Sequence, residues 1–217
     1  MDKVAHHPDG SHVITFEEGP HVYTDNRGVR YTSGTAFIGK FFGKFDAVAI
    51  STKCAMGRNP KYAGRPPGEI REEWSAEARR GQDEGTNVHE YAEGLISGWP
   101  LCDLPPPISE RCERIFIQTE KAVKNLLNRF VFVGAEVIIF SPDMGLAGMI
   151  DLLMFDRATN EILILDWKQN KAISTENPWQ SGLPPIDHLQ DTDIAHYSLQ
   201  LSLYQAIMER ENYFPVP

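Results

Sequence analysis

Among the 217 residues there is no run of 18 or more apolar residues that would span a bilayer. The N-terminal stretch MDKVAHHPDGSHVITF lacks the basic segment and apolar core of a secretory signal, so a soluble intracellular protein is expected. Cysteine is scarce. Cys54, Cys102 and Cys112 are odd in number and show no CxxC spacing, which excludes a zinc ribbon and a disulfide framework and leaves packing as their expected role. Internal repeats and low-complexity segments are also missing. Positive charge is short overall, at a net −9, so the chain does not bind nucleic acid simply by being basic. Its distribution is uneven: Arg27 to Arg80 hold eleven Lys or Arg against five Asp or Glu. That basic stretch beside an acidic remainder reads either as a phosphate-binding surface next to a cation site or as ordinary surface scatter.

With 41% hydrophobic residues, the chain has enough material for one sizeable core, and a single domain over 1–217 is expected. Residues 1–45 form an N-terminal hairpin region, in which HVYTDNRGVRYTS alternates around the turn Asn26-Arg27-Gly28. Residues 46–130 are mainly helical. Asp46 caps a helix running to Met56, GRNPKYAGRPPGE is a loop, and Ile70 to Gly98 is helix-rich with an interruption expected at Gly81 and Gly85. Ser109 caps a further helix whose apolar residues recur every three to four positions, from Cys112 to Phe130. Residues 131–217 hold three β-like runs, VFVGAEVIIF, LAGMIDLLMF and EILILDWKQ, followed by a closing helix from about Ile194 to Arg210.

The last two runs carry misplaced charge. A hairpin turn centred between Ala158 and Thr159 sets Asp151 opposite Asp166, with Cβ atoms about 4.5–5.5 Å apart. Two carboxylates that close repel unless a cation joins them. Both faces of EILIL are apolar, so the sequence predicts a central, doubly covered strand, with the charges of Asp166 and Lys168 at its end or partnered. Hard oxygen donors in this pattern suit Mg²⁺ or Mn²⁺, and a lysine beside the ion suits phosphodiester hydrolysis. The plainer reading is an Asp166–Lys168 ion pair with Asp151 satisfied by backbone amides.

The stretch GMIDLLMF…ILILDWKQNK resembles motifs II and III of the PD-(D/E)XK nuclease superfamily, with Asp151 as the first acid and Asp166-Trp167-Lys168 as the D/E-x-K signature. GTNVHEYAEG is similar to the helix that supplies a histidine in RecB-like exonucleases, QLSLY resembles their Q-x-x-x-Y motif, and Glu136 stands where such proteins often carry a further acid. Within that group the closing segment looks most like phage-encoded exonucleases and the mitochondrial genome maintenance exonuclease. The resemblance implies an α/β fold with a restriction-endonuclease-like core, a central mixed β-sheet flanked by helices, behind the N-terminal hairpin. It also implies a Mg²⁺- or Mn²⁺-dependent deoxyribonuclease that degrades DNA from its ends, leaves a 5′-phosphate and serves replication, recombination or repair, with a recombination or replication protein as a possible partner. Three scattered cysteines do not supply the four that hold an iron–sulfur cluster in some relatives.

Carried onto this chain, Asp151, Asp166, the Trp167 carbonyl, His89 and Glu136 hold the metal, Lys168 assists the water, and Gln200 and Tyr204 line the site. Each has a bland counterpart: His89 as a surface histidine, Glu136 as the partner of Lys168, Gln200 and Tyr204 as a polar helix edge. Lys40, Lys44, Lys53, Arg58, Lys61, Arg79 and Arg80 are the expected phosphate contacts, which carry no sequence information. Trp179 either stacks on an unpaired base or anchors packing. The cluster Asp187, His188, Asp191, Asp193 and His196 reads as solvated loop residues rather than a second metal site. A structure-specific or nicking endonuclease, and an inactive DNA- or partner-binding module, are the alternatives.

Overall fold

The computed structural model describes residues 2–170 and 172–214, which divide into two compact units, 1–43 with 123–217 and 44–122. The first unit carries a mixed sheet of seven strands. β1 (Lys3–His6), β2 (Val13–Glu17), β3 (Val22–Asp25) and β4 (Arg30–Ser33) form an antiparallel meander. The expected hairpin is its second half, and Gly28 takes the left-handed conformation (φ 80°) its turn requires. The first half, β1 with β2, lies outside that expectation. Ile14 and Phe16 alternate inward on β2, whereas β1 is four residues long and adjoins a Pro-bearing turn, so it carries no periodic signal of its own.

After β4, α1 (Gly34–Ile38) starts on Ser33, whose hydroxyl accepts from the Ala36 N–H. β5 (Val131–Ser141), β6 (Leu146–Asp156) and β7 (Glu161–Leu165) follow as the three adjacent strands read from the sequence. Their arrangement departs from expectation in one respect. β6, not β7, is the central strand. β5 runs antiparallel along the whole of β6, while β4 pairs in parallel with Leu146–Ala147 and β7 antiparallel with Leu152–Asp156. A strand has two edges, so β4 and β7 share the second one, separated by Gly148–Asp151. β7 is therefore an edge strand, half-buried along Ile162–Leu165. Apolar residues on both its faces looked central because sequence alone cannot distinguish a strand buried by two neighbours from one half-covered by a helix.

Both faces of β5 and β6 are covered. Ile138, Phe140 and Ala147 pack with Ile14, Phe16, Tyr23 and Tyr31 of the meander, while Ile139, Leu146 and Ile150 pack with Tyr204, Ile207 and Met208 of the closing helix. α5 (Asp193–Arg210) begins on Thr192, whose hydroxyl accepts from the Ala195 N–H. Each fully buried aliphatic side chain in these layers contributes about 1.5–3 kcal/mol.

The second unit is helical. α2 (Ala47–Met56) is capped by Asp46 as the sequence predicts, its carboxylate accepting from Val48 and Ala49. α3 (Pro67–Ser97) is one continuous helix of 31 residues, so the interruption expected at Gly81 and Gly85 does not occur. Each mid-helix glycine costs about 1 kcal/mol relative to alanine. Between them, however, Glu84 is buried and accepts from Ser109 and Arg111, both at 2.8 Å. Beyond them, Val88 and Tyr91 pack on Cys112 and Phe116 of α4 (Glu110–Arg129), where the Tyr91 and Phe116 rings stack at 3.7 Å. These contacts outweigh the glycine penalty. Gly98 (φ 74°) ends α3, its N–H returning to Gly94 and Leu95. The cysteines do not share one role: Cys112 packs in this core, Cys54 is half-buried and Cys102 is exposed. Among the described residues no helix is long and apolar enough to cross a membrane.

Candidate active site

The β6–β7 register follows from the turn. Four residues, Arg157 to Asn160, connect the strands, with Asn160 at φ 60° and the Asp156 carboxylate accepting from the Ala158 N–H at 2.8 Å. Leu152 pairs with Leu165, so the next rung outward brings Asp151 to Asp166, as the sequence predicts. β7 ends at this point, which puts the charges at a strand terminus. One Asp151 oxygen accepts from the Trp167 N–H at 2.7 Å, and Lys168 Nζ lies 2.5 Å from Asp166 Oδ2. The ion pair and the backbone amide of the plainer reading are thus both present, but two further elements converge on the same hairpin.

The first is β5. Its register with β6 shifts by one residue between Phe132 and Gly134, a bulge of the kind that re-aims side chains beside active sites. The shift sets Glu136, flanked by the pairs Ala135–Leu152 and Val137–Ile150, across from Asp151. Glu136 adopts φ 51°, which costs a non-glycine residue on the order of 1–3 kcal/mol. Carboxylate oxygens of Glu136 and Asp151 come within 4.8 Å of each other. The cation beside Glu136 is Lys3, at 3.3 Å, not the Lys168 of the bland reading.

The second is α5. Gln200 Nε2 donates to Asp166 Oδ1 and to the Tyr204 hydroxyl, both at 3.3 Å. Burial pushes the Tyr204 phenol up to about 12, and the charges of Asp166 and Asp151 push the same way. Tyr204 is therefore a neutral hydrogen-bonding post rather than a base. Its ring lies across Gly148, where an added Cβ would meet Tyr204 Cε1 at 2.3 Å, and across Gly34, where it would meet the same atom at 2.9 Å. The unpaired stretch of the β6 edge is where this ring enters.

Tyr197, in the first turns of α5, is a further residue at this site that the sequence reading did not single out. Its signal was spacing: Tyr197, Gln200 and Tyr204 stand three and seven residues apart, on one helical face. Lys168 Nζ lies 4.8 Å from the centre of the Tyr197 ring, and the Tyr197 hydroxyl donates to Asn170 Oδ1 at 2.8 Å. The ring thus holds the ammonium that faces Asp166. A cation–π contact of this kind contributes about 0.5–2 kcal/mol. Tyr197→Ala is expected to lower kcat by about tenfold, at 1.4 kcal/mol per factor of ten, while Tyr197→Phe keeps most of the rate. Steady-state kinetics of the two variants, with the pH profile of kcat, checks this; equal losses in both would assign the effect to the hydroxyl instead.

His89 sits half-buried on α3, in the second unit, as do the exposed Lys44, Lys53, Arg58, Arg79 and Arg80. Lys61 pairs with Glu73 at 3.0 Å. Lys40 is exposed on the short 3-10 turn Gly39–Phe41 of the first unit. Trp179 is 90% exposed, which removes the packing-anchor reading. Of the second acid–histidine cluster, Asp187 and His188 are exposed, His196 pairs with Asp191 at 2.8 Å and stacks on Phe42, and Asp193 binds the Ser174 N–H.

Asp151, Asp166 and Glu136 offer only hard oxygen donors, with the Trp167 peptide held against Asp151. That set fits Mg²⁺ or Mn²⁺ better than a thiolate- or imidazole-seeking ion. A hairpin bearing Asp and Asp-x-Lys on a mixed sheet, backed by a helix, is the arrangement that the sequence resemblance led one to expect. The model of the PD-(D/E)XK nuclease superfamily matches residues 47–216, and the chain belongs to that superfamily of divalent-metal nucleases acting on DNA. Neither the curated proteins nor the solved structures yield a match.

Proposed function

We propose that the chain is a Mg²⁺- or Mn²⁺-dependent DNA exonuclease of the RecB-like group, acting inside cells in replication, recombination or repair. The observation that carries this reading is the bond from Gln200, held by Tyr204, to Asp166: the Q-x-x-x-Y pair of that group reaches the catalytic hairpin. Asp151, Asp166 and the Trp167 carbonyl hold the ion, and Glu136 and, on motif resemblance, His89 complete the site. When bound, the ion supplies positive charge that neutralises the scissile phosphate as charge builds on it.

Lys168, its ammonium oriented by Asp166 and Tyr197, donates a hydrogen bond that holds the attacking water in place. The water oxygen bonds to phosphorus as the water loses a proton to solvent, the bond from phosphorus to the 3′ oxygen breaks, that oxygen takes up a proton from solvent, and the product keeps a 5′-phosphate. Gln200 keeps Asp166 turned towards the site. Lys40, Lys44, Lys53, Arg58, Lys61, Arg79 and Arg80 contact phosphates, and the exposed Trp179 stacks on an unpaired base, which tolerates any sequence. A recombination or replication protein is the partner such an enzyme would serve.

The test offers the protein with Mg²⁺ two forms of one DNA, linear and covalently closed circular. Degradation of the linear form alone supports an exonuclease; cleavage of the closed circle at a similar rate makes it an endonuclease.

A further inference from the structure

The turn joining β1 to β2, His7-Pro8-Asp9-Gly10-Ser11-His12, gathers three side chains outside the acidic centre. One ligand atom each from His7, Asp9 and His12 lies within 4.8 Å of the other two. Asp9 Oδ2 stands between the imidazoles, 3.1 Å from His7 Nδ1 and 2.6 Å from His12 Nδ1. The backbone holds it there: Asp9 Oδ1 accepts the N–H groups of Ser11 and His12 at 2.8 and 3.1 Å, which turns Oδ2 to the histidines. The turn is closed by the His7 N–H donating to the His12 carbonyl at 2.9 Å and by Gly10 at φ 73°.

His7 is poised as a ligand rather than as a surface residue. Its side chain is 4% exposed, and its ring packs 4.9 Å from that of Phe140. The Asp9 N–H donates to His7 Nδ1 at 3.3 Å, which makes Nδ1 the lone-pair nitrogen and puts the proton on Nε2. Nε2 forms no aligned hydrogen bond, yet Glu211 Oε2 lies 3.3 Å away. A carboxylate behind the far nitrogen of an imidazole is the outer-shell arrangement that orients metal-bound histidines. Glu211 is itself anchored by the Ser141 hydroxyl at the end of β5.

We propose that His7, Asp9 and His12 form a second metal site, distinct from the acidic centre, that takes Zn²⁺ and staples the β1–β2 hairpin. Two imidazoles and one carboxylate are a borderline donor set that suits Zn²⁺. Zn–N and Zn–O bonds of about 2.0–2.2 Å place tetrahedral ligands a little over 3 Å apart, close to the spacing of Asp9 from His7. On binding, the ion displaces the proton that His12 Nδ1 shares with Asp9, and water fills the fourth position. β1 is the edge of the sheet, so an ion here closes the turn of the outermost hairpin.

The test titrates Zn²⁺ into the full-length, untagged Asp151→Asn/Asp166→Asn protein, which removes the acidic centre from the signal. One equivalent is expected to bind and to raise the melting temperature. Adding His12→Gln, or separately Asp9→Asn, should weaken binding by about 10–100-fold and abolish the shift in melting temperature. Asp9→Asn retains the oxygen that caps the turn, so it reports on the ligand even where His12→Gln disturbs the fold, and circular dichroism without metal verifies that each protein is folded. No stoichiometric binding to the double variant, or undiminished binding after either added substitution, overturns the site.

Discussion

Lys168→Ala is expected to bind Mn²⁺ as tightly as wild type and to cleave DNA about 10²–10³-fold more slowly, the usual cost of removing one preorganised donor aimed at developing charge. Geometry sets this role. Lys168 Nζ lies 2.5 Å from Asp166 Oδ2 and is held by the Tyr197 ring, so its charge is aimed along the edge of the carboxylate that faces the site. Removing it leaves Asp151, Asp166 and Glu136 to hold the ion. Asp166→Asn should differ in kind, losing both metal affinity and turnover, because it removes ligand charge and leaves the Lys168 ammonium without its counter-ion. Calorimetric Mn²⁺ titration beside single-turnover cleavage separates the two. If Lys168→Ala lost metal binding while Asp166→Asn kept it, the assigned roles would be reversed.

Gly148→Ala is expected to damage stability and activity together. Gly148 lies on the central strand, paired with Ile139, and a Cβ there would stand 2.3 Å from Cε1 and 2.8 Å from Cζ of Tyr204. Tyr204 is 4% exposed and is also wedged against Gly34, so the ring has no free direction in which to retreat. Overpacking of this kind costs about 1–3 kcal/mol. The melting temperature should fall by about 2–4 °C for each kcal/mol in a chain of this size. Any ring movement also pulls the hydroxyl from Gln200 and releases Asp166. Tyr204→Leu added to Gly148→Ala should recover stability without recovering activity. Wild-type melting of Gly148→Ala alone would mean that the ring does not lie where the structure places it.

Local chemistry made part of this molecule legible in advance. The β6–β7 register followed from a four-residue turn, and with it the meeting of Asp151 and Asp166. Asp46 and Ser109 marked helix starts through their caps, and the apolar spacing that includes Cys112 and Phe116 marked the buried face of α4. What escaped depended on partners far away in sequence. β7 looked central because its composition does not record that β4 and β7 divide one edge of β6. α3 looked broken at Gly81 and Gly85 because the bonds of Glu84 to Ser109 and Arg111 reach across more than twenty residues. Glu136 was named as a candidate, but its left-handed backbone follows the bulge in β5, where no glycine at that position announced it. Tyr197 was hidden because its task depends on where Lys168 ends up.

The most direct test of the account is cleavage of end-labelled linear DNA by untagged protein in Mg²⁺, compared with Asp151→Asn and with wild type in excess chelator. Asp151 is where β5, β6 and the Trp167 amide meet, and the substitution keeps its shape while removing the charge that holds the ion. The account predicts Mg²⁺-dependent release of 5′-phosphorylated products by wild type, with neither the variant nor the chelated enzyme rising above background. Cleavage by Asp151→Asn at the wild-type rate, or products formed equally in chelator, would contradict it.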